Sequence, residues 1–103
     1  MLIVTTDSIA NKTITDVLGT VSASVVQSRH VGKDIMAGLK SIVGGELTSY
    51  TEMLEDSTDM VKERLIKEAR ALGATAIVGV RFALTAGQGT SELIGYGTAV
   101  VAE

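Results

Sequence analysis

Arg29, Asp34, Glu46, Tyr50, Arg64 and Arg81 lie between Ser28 and Phe82 and have the chemistry to hold a charged ligand. Arginine's planar fork grips a carboxylate or phosphate through paired N–H donors. The set therefore reads as a polar pocket for a small anion or metabolite, shared between subunits where the chain associates. The competing reading is structural: Arg29 or Arg81 pairs with Asp34 or Glu46 and fixes the register between copies. Ion-pair networks of that kind are frequent, and the structural reading is preferred.

His30 is the only histidine and there is no cysteine. Disulfides, thiolate metal sites and multi-histidine sites within one chain are thereby excluded. A metal held by His30 needs partners such as Glu46 or an acid from a neighbouring copy, so both residues are weak candidates, and a partly exposed loop histidine is the plainer reading. Glu52, Glu55, Asp56 and Asp59 fall at i, i+3, i+4 and i+7 and share one helix face. One straight helix cannot wrap a hard cation, so this is read as a solvated acidic face. Soft metals prefer thiolate or imidazole, which that face lacks.

Nothing supports nucleophilic catalysis. Ser22, Ser24, Ser28 and Ser49 sit in no elbow motif, and nothing pins His30 beside a serine and an acid. Gly44-Gly45 and Gly87-Gln88-Gly89 lack the spacing of a phosphate or dinucleotide loop. No enzyme is expected, and no cofactor. A formal net charge of -3 and an aromatic share of 3% also argue against nucleic acid as a partner. The opening MLIVTTDS has neither the basic flank nor the apolar run of a signal peptide, and no apolar stretch reaches the length of a membrane span. The expected location is the cytoplasm.

The elements that must position these residues read as a single domain over residues 1–103. Leu2–Thr5 is a short strand, and Asp7–Lys12 a turn. Thr13–Gln27 is a long strand, rich in β-branched residues, whose alternation slips near Gly19. Val31, Ile35, Leu39 and Ile42 recur at helical spacing over Val31–Val43, and Gly44-Gly45 breaks that pattern. Ser49-x-x-Glu52 has the form of a capping box. Tyr50, Met53, Leu54, Met60, Val61, Leu65, Ala69 and Leu72 then make the apolar stripe of a long helix that Gly73 closes. Strict alternation over Thr75–Ala86 puts Ala76, Val78, Val80, Phe82 and Leu84 on one face, with Ile77, Gly79, Arg81, Ala83 and Thr85 on the other. A turn at Gly87-Gln88-Gly89 and a strand over Thr90–Ala102 complete a hairpin. The fold class is α+β: one antiparallel-rich sheet in β-β-α-α-β-β order, with a short and a long helix on one face.

Helices on one face leave the other in water. The strands carry apolar residues on both parities (Ile77 against Val78, Leu93 against Ile94, Val25 against Val26), so a monomer is expected to expose an apolar patch that favours self-association.

The run SRHVGKDIMAGLKSIVGGELTSYTEMLEDS, followed by RLIKEARALGATAIVGVRF, resembles the YbjQ family, small prokaryotic proteins of unknown function often labelled heavy-metal-binding. The resemblance covers nearly the whole chain. It implies a compact fold of the dodecin-subunit class assembled as a ring-shaped homopentamer, and it implies no established activity. The leading expectation is a non-enzymatic homo-oligomer that binds a small ligand or metal ion at its interfaces. The alternatives are a structural or protein-interaction module without a ligand, and an enzyme with an intersubunit site built from Arg29, His30, Asp34 and Glu46.

Overall fold

The computed structural model describes residues 1–28, 42–43, 46–87 and 89–103. In chain order the elements are β1 (Leu2–Ile3), β2 (Ile14–Ser28), β3 (Ile42–Val43), β4 (Glu46–Leu47), α1 (Thr48–Ala71), β5 (Ala76–Gly87) and β6 (Thr90–Ala102). The main sheet runs β1-β5-β6-β2, and β3 and β4 form a separate two-stranded ladder. Strand β1 joins β5 in parallel, whereas β5–β6 and β6–β2 are antiparallel. The chain is thus α+β with one mixed four-stranded sheet and, among the described residues, a single helix.

Two expectations change here. The sheet is mixed, because the N-terminal strand enters beside β5 in the same direction. The short helix expected over Val31–Val43 falls mostly outside the described residues, as do Gly44 and Gly45. Its last two residues are a strand: Ile42 pairs with Leu47 and Val43 with Glu46. Ile and Val are stiff at χ1 and suit an extended chain, so helical spacing alone misreads them.

Helix α1 begins at Thr48, which places Ser49 in its first turn rather than at the cap position the capping box requires. Its C-terminus is as expected. Gly73 takes φ +86, its N–H donates to Arg70 O at 3.0 Å, and Ala74 N–H donates to Ala69 O at 3.0 Å. This pair of bonds is a Schellman closure, and the left-handed residue within it is cheap only for glycine.

Along one stripe of α1, Val61, Leu65 and Ala69 are completely buried. They pack on Val21, Val25, Ile77, Val80, Leu93 and Ala99 to form the main core. A second cluster, Ala76, Val78 and Val100, lies on the opposite face of the sheet under Val4, Ile9 and Ile14. The N-terminal segment is thus a strap over the lower half of that face. Hydrogen bonds from Val80 N to Val4 O (3.0 Å) and from Gly79 N to Thr6 O (2.8 Å) hold it there.

The two clusters expose an error in the strict alternation expected of β5. Its register with β6 slips between Val78, opposite Thr98, and Arg81, opposite Tyr96. Gly79 sits inside that bulge at φ +62, a conformation that a side chain would strain. After the bulge the faces exchange. Ile77 and Val80 face the helix, Ala76 and Val78 face the strap, and Arg81 points away from the helix. The slip expected near Gly19 in β2 is present, between Val17 and Gly19, and a second lies between Ile14 and Asp16. Ile14 and Leu18 therefore do not share a face: Ile14 packs under the strap and Leu18 against the main core.

Helix and sheet meet where β6 lacks side chains. A Cβ on Gly95 would lie 2.6 Å from Val61 Cγ1 and 3.0 Å from Phe82 Cε1, and one on Gly97 would lie 2.9 Å from Ile77 Cγ2 and from Val80 Cγ2. Neither site can take a methyl group unless its neighbours shift. Gly95→Ala is expected to lower unfolding free energy by about 1–3 kcal/mol, read as a lower urea midpoint at unchanged slope.

Candidate functional site

Arg29, His30 and Asp34 lie outside the described residues. Glu46 is in β4, its backbone opposite Val43. Tyr50 is half-buried in the first turns of α1. Its hydroxyl stands 3.5 Å from Ser91 Oγ, and Ser91 is buried on the helix side of β6. Arg64 lies 14 residues further along the same helix, about 21 Å at 1.5 Å per residue. It donates from Nη1 to Ser24 O at 2.6 Å. Strand β2 is a sheet edge, so this bond closes part of an otherwise open backbone.

Arg81 stands apart from both. It lies on the face away from α1, and its Nη1 donates to Thr5 O at 2.8 Å and to Val80 O at 2.9 Å. Tyr50, Arg64 and Arg81 thus occupy three separate places: under the helix start, at the β2 edge, and on the far face.

The register supplies neighbours for Arg81 that spacing in the sequence did not suggest. Tyr96 of β6 is directly opposite it, and Ser22 of β2 is directly opposite Tyr96. Directly paired residues in antiparallel strands project from the same face, so guanidinium, phenol and hydroxyl form one row across three strands. All three residues are exposed. Only the bulge at Gly79 brings Arg81 into this row, which is why uninterrupted alternation put it on the opposite face.

The exposed apolar side chains divide between the two faces. Val26, Ile94 and Tyr96 are on the far face among Ser22, Ser24 and Thr85, while Phe82 and Leu84 are on the helix face of β5. Helix α1 packs over β2 and β6 and leaves that part of β5 uncovered. The far face also carries Val17, 64% exposed and opposite Val100.

A model for the YbjQ family, described as "Putative heavy-metal-binding", matches residues 1–103. A UPF0145 protein from Bacillus velezensis is 72% identical over 103 residues, which span 100% of this chain and 93% of that protein. One from Bacillus licheniformis is 67% identical over 101 residues, 98% of each chain. An archaeal one from Methanosarcina acetivorans is 48% identical over 101 residues, 97% of this chain and 95% of that one. Among solved structures, the crystal structure of a protein of unknown function from Pediococcus pentosaceus, assigned to the DUF74 family, is similar at a TM-score of 0.72. It is 22% identical, and the match covers 100% of this chain and 98% of that one. That likeness speaks for the fold alone.

The donor set does not fit the metal description. The chain has no thiolate and one imidazole. Among the described residues no group of three or more His, Cys, Asp or Glu side chains is placed to hold an ion. The acids Glu52, Glu55, Asp56 and Asp59 are all exposed on α1, and no described residue joins them in a group placed to hold an ion. Zn²⁺ titrated into the full chain by calorimetry is expected to give no saturable heat. A saturable heat that disappears in His30→Ala would contradict this and put the metal on the one imidazole available.

Proposed function

The chain belongs to the YbjQ family, and we propose that it acts as a non-enzymatic, self-assembling protein of the cytoplasm whose copies join through the upper half of β5. Family resemblance implies a ring-shaped homopentamer, and on our reading a small ligand sits where the copies meet.

The observation that carries this reading is the state of β5 beyond Val80. Below that point the N-terminal segment pairs with it, through Leu2 opposite Ala76, Ile3 opposite Ile77 and the bonds at Gly79 and Val80. Above it, among the described residues, no strand lies on that side. Phe82 and Leu84 are 37% and 43% exposed there, on the face that α1 leaves uncovered. Free backbone donors and acceptors beside apolar side chains make a template for another strand, and a lone protein ordinarily blunts such an edge. The β2 edge is blunted in this way by Arg64. Among the described residues the β5 edge beyond Arg81 has no comparable guard, and Phe82–Ala86 contains no charge.

Apolar area removed from water contributes roughly 25 cal/mol per Å², so docking Phe82 and Leu84 against a second copy favours association. No helix of the described residues is long and apolar enough to cross a membrane, which agrees with assembly in aqueous surroundings. Native mass spectrometry at micromolar concentration is expected to find a closed oligomer of five chains. Leu84→Lys should shift it to monomer with its far-ultraviolet dichroism unchanged, since Leu84 is not a core residue. A monomeric parent protein would overturn the reading.

A further inference from the structure

A second surface, remote from α1, is organised around Arg81. Both Nη1 hydrogens of this residue are committed to backbone carbonyls, those of Thr5 and Val80. The guanidinium is thereby pinned between the strap and its own strand, with little rotational freedom left to lose. Its Nε–H and the two Nη2–H groups have no partner among the described residues, and no carboxylate of those residues is paired with it. Anchoring at Nη1 leaves the Nε/Nη2 edge open, and that edge offers the parallel pair of donors that matches two oxygens of a carboxylate or phosphate.

Register places the rest of the surface. Tyr96, 46% exposed, is beside Arg81, and Ser22 follows on β2. Neighbouring strands lie about 4.8 Å apart, so the row is about 10 Å across, the span of a small organic molecule. Thr98, the preceding far-face position on β6, adds a hydroxyl. Each hydroxyl can donate or accept, and the phenol ring offers a flat apolar contact.

We infer that this row binds small organic oxyanions. Arg81 takes the carboxylate or phosphate oxygens through Nε and Nη2, the Tyr96 phenol donates to the same oxyanion while its ring supports the organic body, and Ser22 and Thr98 meet the ligand's hydroxyl groups. Arg81 begins the same stretch of β5 as Phe82 and Leu84 but projects from the opposite face, so binding in the Leu84→Lys monomer separates this reading from the docking of β5. Asp7 tempers it: Asp7 Oδ1 lies 3.7 Å from where a Cβ on Gly79 would be, two residues from Arg81, and its charge opposes an arriving anion.

The test is nuclear magnetic resonance on the full chain, following the Arg81 Nε–H signal, assigned by its loss in Arg81→Lys. The probes are inorganic phosphate, glycerol 3-phosphate and lactate, with chloride at matched ionic strength as control. A saturable shift is expected with at least one oxyanion and none with chloride. Phosphate probes alone would define a phosphate site, and lactate alone a carboxylate site. Tyr96→Phe should weaken binding by about tenfold, the worth of one hydrogen bond to a charged group, and Asp7→Asn should tighten it. Arg81→Lys keeps the charge but loses the fork, and should abolish binding as read by the Tyr96 amide. If Arg81→Lys does not fold, Tyr96→Phe and Asp7→Asn still decide. The inference is overturned by no saturable shift with any oxyanion, by an equal shift with chloride, or by unchanged affinity in both of those variants.

Discussion

Helix α1 comes closest to the sheet over Gly95, where β6 offers no side chain. Gly95 and Gly97 present bare backbone on the helix side of β6, and Val61 Cγ1 and the ring of Phe82 occupy the space that a β-carbon at Gly95 would need. Close approach of this kind lets a helix of modest apolar content bury Val61, Leu65 and Ala69 completely. Dispersion and hydration both favour that contact, since interiors are packed to crystal density and small gaps forfeit attraction. The position of the helix follows from it. Centred on β6 and β2, α1 cannot also cover β5, and the bareness of Phe82 and Leu84 is a direct result.

Much of this was legible in the chain. The buried stripe of α1 at Val61, Leu65 and Ala69, the glycine closing the helix, the β5–β6 hairpin and the slip near Gly19 each follow from a local rule, and the structure has each of them, whereas Met60 and Leu72 of the expected stripe are exposed. Three features were not legible, for physical reasons. The parallel entry of β1 depends on contacts remote in sequence, which no local pattern encodes. The strand at Ile42 and Val43 was obscured because β-branched residues at helical spacing fit both periods. The bulge at Gly79 was hidden inside a run, Ala76 to Leu84, that alternates without a visible fault. One residue of slip sends every later side chain to the other face, so missing the bulge reversed Arg81 and with it the row containing Tyr96 and Ser22. A glycine inside an otherwise unbroken strand is the signal that could have raised it.

The two edges of the sheet show how position changes the meaning of an arginine. Arg64 reaches from α1 to Ser24 O and shields the backbone of β2. Arg81 also bonds backbone carbonyls, two of them from Nη1, but it does so on the far face beside Tyr96. The first is a guard and the second a held probe. Neither role could be assigned from residue type, because both depend on which strand lies beside the guanidinium and on which face.

The strap formed by the N-terminal segment also bears on the order in which the fold can close. It pairs Leu2 with Ala76, whereas α1, β5 and β6 follow one another with short connections. Loop-closure entropy makes such remote pairings, this one and that of β2 with β6, the slowest to be repaid. Until it forms, Ala76, Val78 and Val100 lack their cover of Val4, Ile9 and Ile14, and Arg81 lacks the Thr5 carbonyl that holds it. The strap is thus among the last segments to find its place, and the far face acquires its shape only when it does.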